Sequence, residues 1–355
     1  MTVKVSKPAI NVRSELADLR KPTGIAGEAM LAAETPQEQF QLIGAGRRNL
    51  LINGGFDVWQ RDTSSTKSSN TYGNFTADRW STYFAGTYSK QATKLPNGDY
   101  ANYLRGVLGT TSSNRLNLNT FIENGNSLFS GKYVTCSLWI KGSVPDASAN
   151  IKLKTVSGSD FSSHATVAAT TIITDTEWKK HEVTLQCSDD TANVGARPHV
   201  VLEIDGTDAT WPNGSTFEIA QVQLELGKVA TPFEHARSYG EELAACQRYF
   251  HRIDRAATGP NTMVTGAVTP TSGIFYIQFP TSMRASPAVT KTGTSYSMYS
   301  TASGSQAAIT NFSITFGPFG TLGGRFLTAK VGDAGNSAWI DLNNDNTFFS
   351  FDAEI

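Results

Sequence analysis

Arg48–Asn49–Leu50–Leu51–Ile52–Asn53–Gly54–Gly55–Phe56–Asp57–Val58–Trp59–Gln60–Arg61 is the stretch whose reading decides the fold. An apolar run, Leu50 to Ile52, meets a tight turn at Asn53–Gly54–Gly55, where small residues tolerate positive φ. Behind the turn Phe56, Val58 and Gln60 alternate with Asp57, Trp59 and Arg61, the period of a strand. Ala77–Asp78–Arg79–Trp80 follows, and much later Phe217 to Glu225 reads as a returning strand. A first strand, a series of short strands and a closing strand predict one β-sandwich over 49–234.

The totals agree. The chain has 355 residues, 31 of them Gly, and only 17% are charged, which favours short strands and turns over helical bundles. The net charge of −1 gives no general attraction to nucleic acid or to an anionic membrane, so neither is expected as a partner. The start, Met1–Thr2–Val3–Lys4–Val5, lacks the apolar core of a signal peptide. Synthesis in a cytoplasm is expected, and no apolar run is long enough to predict a membrane span. Cys136, Cys187 and Cys246 form neither a metal pattern nor a disulfide framework and are expected as buried thiols.

Four segments follow from the patterning. Residues 1–48 read as an arm with short helices, including a capping box at Thr35–Pro36–Gln37–Glu38. Such helices are too short to stand alone, so a partner subunit or docking surface is expected to hold them. Residues 49–234 carry strand candidates at Tyr133 to Ile140, Ala149 to Val156, Thr176 to Cys187 and His199 to Ile204, separated by turn chemistry. This predicts an antiparallel jelly-roll sandwich. Residues 235–250 are a joint, where Ser238–Tyr239–Gly240–Glu241 caps a brief helix. Residues 251–355 alternate at Gly273 to Phe279, Asn311 to Phe316, Arg325 to Val331 and Phe348 to Ile355, predicting a second, smaller β-sandwich.

Several of these motifs, in their order, resemble a family. The 48–61 stretch with Ala77–Asp78–Arg79–Trp80 is similar to the opening of a domain found in bacteriophage tail-fibre and other virion structural proteins. The similarity continues at Ser137 to Lys141, Glu177–Trp178, Ala220 to Gly227, Ala230–Thr231–Pro232–Phe233–Glu234, Glu242–Leu243 and Cys246 to Phe250. It closes at Phe351–Asp352–Ala353–Glu354–Ile355, and Val3 to Gly46 resembles the start of podovirus and cyanophage virion proteins. More distantly, Asn49 to Asp57 resembles the first strand of carbohydrate-binding-module jelly rolls. There an acidic residue after the Gly–Phe pair helps hold a structural calcium with a second acid on the last strand. Asp57 matches the first position, but Ala220–Gln221 stands where the second would be, so no metal and no cofactor is expected.

The candidate site residues are aromatic. Burying a Trp removes about 150–250 Å² from water, worth about 4–6 kcal/mol at about 25 cal/mol per Å². Trp59, Trp80, Trp139 and Trp178, inside strand patterns, are therefore expected in the core. Trp211, before the Pro212–Asn213–Gly214 turn, and the loop tyrosines Tyr83, Tyr88 and Tyr103 are the candidates for stacking on sugar rings. No catalytic residues are expected. Asp189–Asp190 and Asp205 to Asp208 supply carboxylates but read as solvated turns. His164, His181, His199, His235 and His251 lack metal-ligand spacing.

The resemblance implies a non-enzymatic virion protein, a homotrimeric tail fibre or similar appendage attaching to host-surface glycan. Residues 1–48 would dock it to other virion proteins, and the jelly roll at 49–234 would be a rigid spacer or a glycan-recognition module. The C-terminal sandwich at 251–355 would be the tip, where receptor contact is expected. A capsid decoration or neck protein without a host ligand, and a polysaccharide depolymerase, are the alternatives.

Overall fold

The computed structural model describes Met30, Gln39 and residues 48–70, 74–83, 85–109, 117–123, 129–156, 164–187, 199–205, 211–235, 238–254, 262–270, 272–292, 296–300, 314–329, 337–342 and 348–354. Apart from Met30 and Gln39, both helical, the helices expected before Arg48 lie outside the described residues. So do Asp189–Asp190 and residues 206–208.

The chain is mainly β. Its strands are β1 (Ser64–Lys67), β2 (Asn74–Phe75), β3 (Trp80–Thr82), β4 (Gly86–Lys94), β5 (Tyr100–Leu108), β6 (Asn117–Glu123) and β7 (Tyr133–Gly142). Next come β8 (Ser148–Val156), β9 (His164–Ile173), β10 (Lys179–Gln186), β11 (His199–Asp205) and β12 (Thr216–Leu226). Helix α1 (Tyr239–Gln247) precedes β13 (Phe250–Ile253), β14 (Thr262–Val268), β15 (Ser272–Gln278), β16 (Ala288–Thr292) and β17 (Tyr296–Ser300). The series ends with β18 (Ile314–Gly320), β19 (Gly323–Ala329), β20 (Ser337–Leu342) and β21 (Phe348–Asp352). The strands read from the sequence inside 133–204 and after 272 appear within a few residues of their expected bounds.

Two compact units form, one from 1–51, 121–209 and 221–234, the other from 52–120, 210–220 and 235–355. Strands β6 and β12 each run from one unit into the other. In β12 the change falls at Gln221, which holds φ 47, rare for a residue with a side chain.

In the first unit β7 lies between β10 and the second half of β12, and β8 between β9 and β11. Val134, Cys136, Leu138 and Ile140 of β7 are fully buried. Cys136, Cys187 and Cys246 are free and buried, as expected, and burial pushes the Cys136 thiol up to about 12. Around the end of β12, polar side chains replace missing strand partners. Asn49 donates from Nδ2 to the Val222 carbonyl at 3.1 Å and accepts on Oδ1 from Leu224 N at 3.2 Å. Glu234 accepts from the Arg48 and Asn49 amides at 2.7 and 2.8 Å, and Glu225 accepts from the Thr231 hydroxyl at 2.5 Å.

In the second unit β4 pairs with β1 and β5, and β5 with the first half of β12. After α1, β21 lies between β13 and β16, and a further sheet runs β17–β20–β14–β15–β19–β18. Ser238 caps α1 by accepting from Glu241 N at 3.2 Å, as the capping box predicts.

The stretch 56–61 is not a strand. Phe56 and Val58 are fully buried and Asp57 is half-buried, so the alternation is real, but no ladder pairs it. Side-chain hydrogen bonds hold it instead. Asn53 donates from Nδ2 to the carbonyls of Val58 and Asp78 at 2.8 and 2.9 Å and accepts from Val58 N at 3.0 Å. Its amide donates to Glu242, and its carbonyl accepts from Trp80 Nε1 at 2.8 Å. Of the turn residues Asn53–Gly54–Gly55, Asn53 takes the positive φ (59°), and Phe56 beyond the turn takes the other (55°). Asn is among the residues that tolerate this conformation best, and here its side chain is held by the backbone of Val58 and Asp78.

Downstream, a buried network ties this stretch to the end of the chain. Asp78, fully buried, accepts from Gln60 N at 3.0 Å and Gln60 Nε2 at 2.5 Å. Arg61 lies 3.7 Å from Asp78 Oδ1, 3.5 Å from Glu354 Oε1 and 3.2 Å from Asp352 Oδ2, with its guanidinium 3.7 Å from the centre of the Phe250 ring. Arg79, 1% exposed, donates to the fully desolvated Glu354 carboxylate and lies 3.5 Å over the Tyr249 ring. The Ala353 amide reaches Tyr249 O at 2.7 Å. Desolvation raises Asp78 to about 6 against the pull of Arg61 and the Gln60 bonds.

Candidate functional site

The aromatic residues sort differently from their sequence surroundings. Tyr88 and Trp211, two of the four sugar-stacking candidates, are each 1% exposed and cannot meet a ligand from solvent. Tyr88 lies inside because its strand turns it toward Phe217 (ring centres 6.2 Å apart), and burial pushes its hydroxyl up to about 12. Trp211 precedes a turn tied to β5 by Gly214 N to Leu108 O, 3.0 Å, which holds the indole in the core. Conversely, Trp80 and Trp139 are buried as expected, but Trp59 and Trp178 are half-buried. Tyr83 and Tyr103 are half-exposed, Tyr83 just beyond β3 and Tyr103 within β5.

Tyr103 stands on an outward sheet face. Antiparallel register places Gln91 and Ala220 opposite it, with Ser89 and Glu218 opposite Arg105 one step along. Thr66 opposes Thr87, their hydroxyls 3.0 Å apart and exposed. Successive residues of a strand point to opposite faces, so Thr66, Thr87, Ser89, Gln91, Tyr103, Arg105 and Glu218 share one face. The other face carries Tyr88, Leu104, Phe217 and Ile219, all buried. Gly106 makes that packing possible, since a Cβ there would lie 2.3 Å from the Phe217 ring.

The outward face is polar and partly ordered before any ligand arrives. Gln91 Nε2 donates to Ser89 Oγ at 3.2 Å. Arg105 Nε lies 3.6 Å from Glu218 Oε1, with the Arg105 side chain 43% exposed and that of Glu218 11%. Partial burial, then the nearby Glu218 charge, raises the Tyr103 hydroxyl above its ordinary value, while Arg105 opposes this. It stays protonated and able to donate. One ring, an amide, hydroxyls and a half-open guanidinium–carboxylate pair are what a sugar ring and its hydroxyls require.

Asp57, the position that the module resemblance links to calcium, is otherwise engaged. Its Oδ1 accepts from Asn102 Nδ2 and its carbonyl from Lys90 Nζ, each at 2.6 Å. No group of three or more His, Cys, Asp or Glu suited to a metal occurs among the described residues. No helix among them is long and apolar enough to cross a membrane.

No family model matches the chain, and no curated protein matches it. Solved structures are similar over about half of it. A family 4 carbohydrate-binding module is 18% identical, covering 49% of this chain and 97% of its own, with a TM-score of 0.31. A putative sugar-binding protein from Bacteroides thetaiotaomicron is 13% identical over 50% of this chain and 100% of its own, with a TM-score of 0.33. The enzymatically active domain of tailspike protein 4 from bacteriophage CBA120 is 11% identical over 50% of this chain and 21% of its own, with a TM-score of 0.30.

Proposed function

We propose that the chain is a non-enzymatic phage virion protein, a trimeric tail fibre or fibre-like appendage that attaches to glycan on the host surface. The ordered series of motifs from Arg48 to Glu354 supports the virion reading through its resemblance to fibre proteins. Residues 1–48 are the segment proposed to dock on other virion proteins and tie the subunits together. One observation carries the attachment reading: Tyr103 stands half-exposed at the centre of a polar sheet face whose reverse side is core. Single-site contacts on such a face are weak, and three copies on one fibre would raise attachment about 10²–10⁴-fold.

The test is competition. Purified full-length protein added to host cells should slow phage adsorption, and Tyr103→Ala should lose that effect while keeping its folded circular dichroism. Protein that never competes favours a capsid or neck role. New reducing ends released from host polysaccharide would replace the proposal with a depolymerase.

A further inference from the structure

Asparagine followed by glycine is a pair that can modify itself, because no side chain on the second residue hinders ring closure onto the first. The chain has four such pairs, at Asn53, Asn97, Asn124 and Asn213, and Asn124 lies outside the described residues. The other three stand in different settings. Asn53 is 1% exposed, with Nδ2 on the Val58 and Asp78 carbonyls and Oδ1 accepting from Val58 N. To turn toward the Gly54 nitrogen it would have to break all three bonds inside the core. Asn213 is exposed, but its turn is tied to β5: Gly214 N donates to Leu108 O at 3.0 Å, and Leu108 N to Ser215 O at 2.9 Å. Asn97 stands at the tip of the β4–β5 hairpin, exposed like Gly98 beside it. The Gly98 amide donates within this turn, to Leu95 O at 2.9 Å, and a Cβ on Gly98 would meet nothing within 4 Å. Oδ1 of Asn97 accepts from Asp99 N at 3.2 Å, and Nδ2 donates to Asp99 Oδ2 at 2.7 Å.

We propose that Asn97–Gly98 is a self-modification site, at which the folded chain converts Asn97 to aspartate and isoaspartate ahead of Asn53 and Asn213. The Gly98 nitrogen, having lost its proton to base in the solvent, attacks Cγ of Asn97. A C–N bond forms, the Cγ–Nδ2 bond breaks, and the side-chain nitrogen takes up a proton and leaves as ammonia. Water then opens the cyclic imide at either carbonyl, and the Gly98 nitrogen regains its proton. Water enters and ammonia leaves, so the step needs no oxidant and no partner. The Asp99 amide is aimed at Oδ1, where negative charge develops as Cγ is attacked. The turn has to open for the attack, and the bonds that hold Asn97 and Gly98 run inside 95–99, at an exposed tip where such opening costs least. The product sets a carboxylate against that of Asp99, where Nδ2 now donates at 2.7 Å, and turns a hydrogen bond into a like-charge contact. Isoaspartate also adds a methylene to the main chain of the turn that joins the strands of Gln91 and Tyr103. The inference does not rest on what those strands bind.

The test is a peptide map by mass spectrometry of folded full-length protein, incubated at mildly alkaline pH and digested at mildly acidic pH. The peptide holding Asn97 should gain the mass of one amide-to-acid exchange, split between aspartate and isoaspartate, before the peptides of Asn53 and Asn213 do. In urea the three sites should convert at similar rates, because the fold is what separates them. Asn97→Gln should lose the shift in its peptide, since the longer side chain closes a less favourable ring. Asn97 lasting as long as Asn53 in the folded protein, or Asn213 converting first, would overturn the inference. So would aspartate without isoaspartate, which marks direct attack by water in place of ring closure.

Discussion

Arg79–Glu354 and Arg105–Glu218 are the same chemical pair in two settings. The first has both side chains desolvated, with Arg79 at 1% and Glu354 at 0% exposure, under the Tyr249 ring. The second lies on a sheet face with the Arg105 side chain at 43% and that of Glu218 at 11%, so only its guanidinium end is open to water. Opposite charges in low dielectric are costly to separate, whereas exposed pairs exchange readily with water. The buried pair therefore fixes the fold by joining the Asp78–Arg79 turn to the end of the chain. The half-open pair presents its guanidinium end to a ligand while the carboxylate stays held in the sheet.

Removing one partner from each pair should break the comparison apart. Glu354→Ala leaves Arg79 charged and buried, and should destabilise the protein by about 3–5 kcal/mol, read from its urea midpoint. Asp78 gives the next largest effect. Its folded value of about 6 lies above the ordinary 3.8, so the folded state holds an extra proton between these values. Stability should fall by up to about 3 kcal/mol as pH rises from about 4 to 6 and level off above that. Asp78→Asn should flatten this slope in a pH series of melting curves. Asn53→Ala should cost about 2–3 kcal/mol, because the amide and carbonyl of Val58 and the Asp78 carbonyl lose partners inside the core. Arg105→Ala should change stability by less than about 1 kcal/mol, yet weaken attachment to host cells. Equal destabilisation by Arg105→Ala and Glu354→Ala would remove the distinction.

The sequence was most legible where local chemistry is self-contained. Strands such as β7 and β12, the Ser238 cap and the buried thiols followed from periodicity, capping and apolar content. The stretch 56–61 misled because alternation reports which residues face the core, not whether a neighbouring strand pairs with them. Here Asn53 and Asp78 take the place of a ladder. The charged members of the recurrent motifs, Arg61, Asp78, Arg79 and Glu354, gave no sign of one another, since nearly 300 positions separate Arg61 from Glu354 and only the fold unites them. Trp211, Tyr88 and Tyr103 read as loop aromatics, but a turn pinned to β5 buries Trp211, an inward strand position buries Tyr88, and Tyr103 lies within β5. The partners of Tyr103 on its face, Gln91, Arg105 and Glu218, could have been found by pairing β4, β5 and β12 in register, a step that needs the hairpin at Pro96–Asn97–Gly98–Asp99 and the return of β12 together.

The central claim is that recognition belongs to the Tyr103 face and that the buried arginine network is scaffold. Hydrogen exchange of the full-length protein with and without host-surface polysaccharide tests it most directly. Slower exchange should appear in Gly86–Lys94 and Tyr100–Leu108 on adding polysaccharide, with residues 58–61 and 78–80 unchanged. Unaltered exchange in both strands, with protection confined to the Arg61 and Arg79 segments, would contradict it.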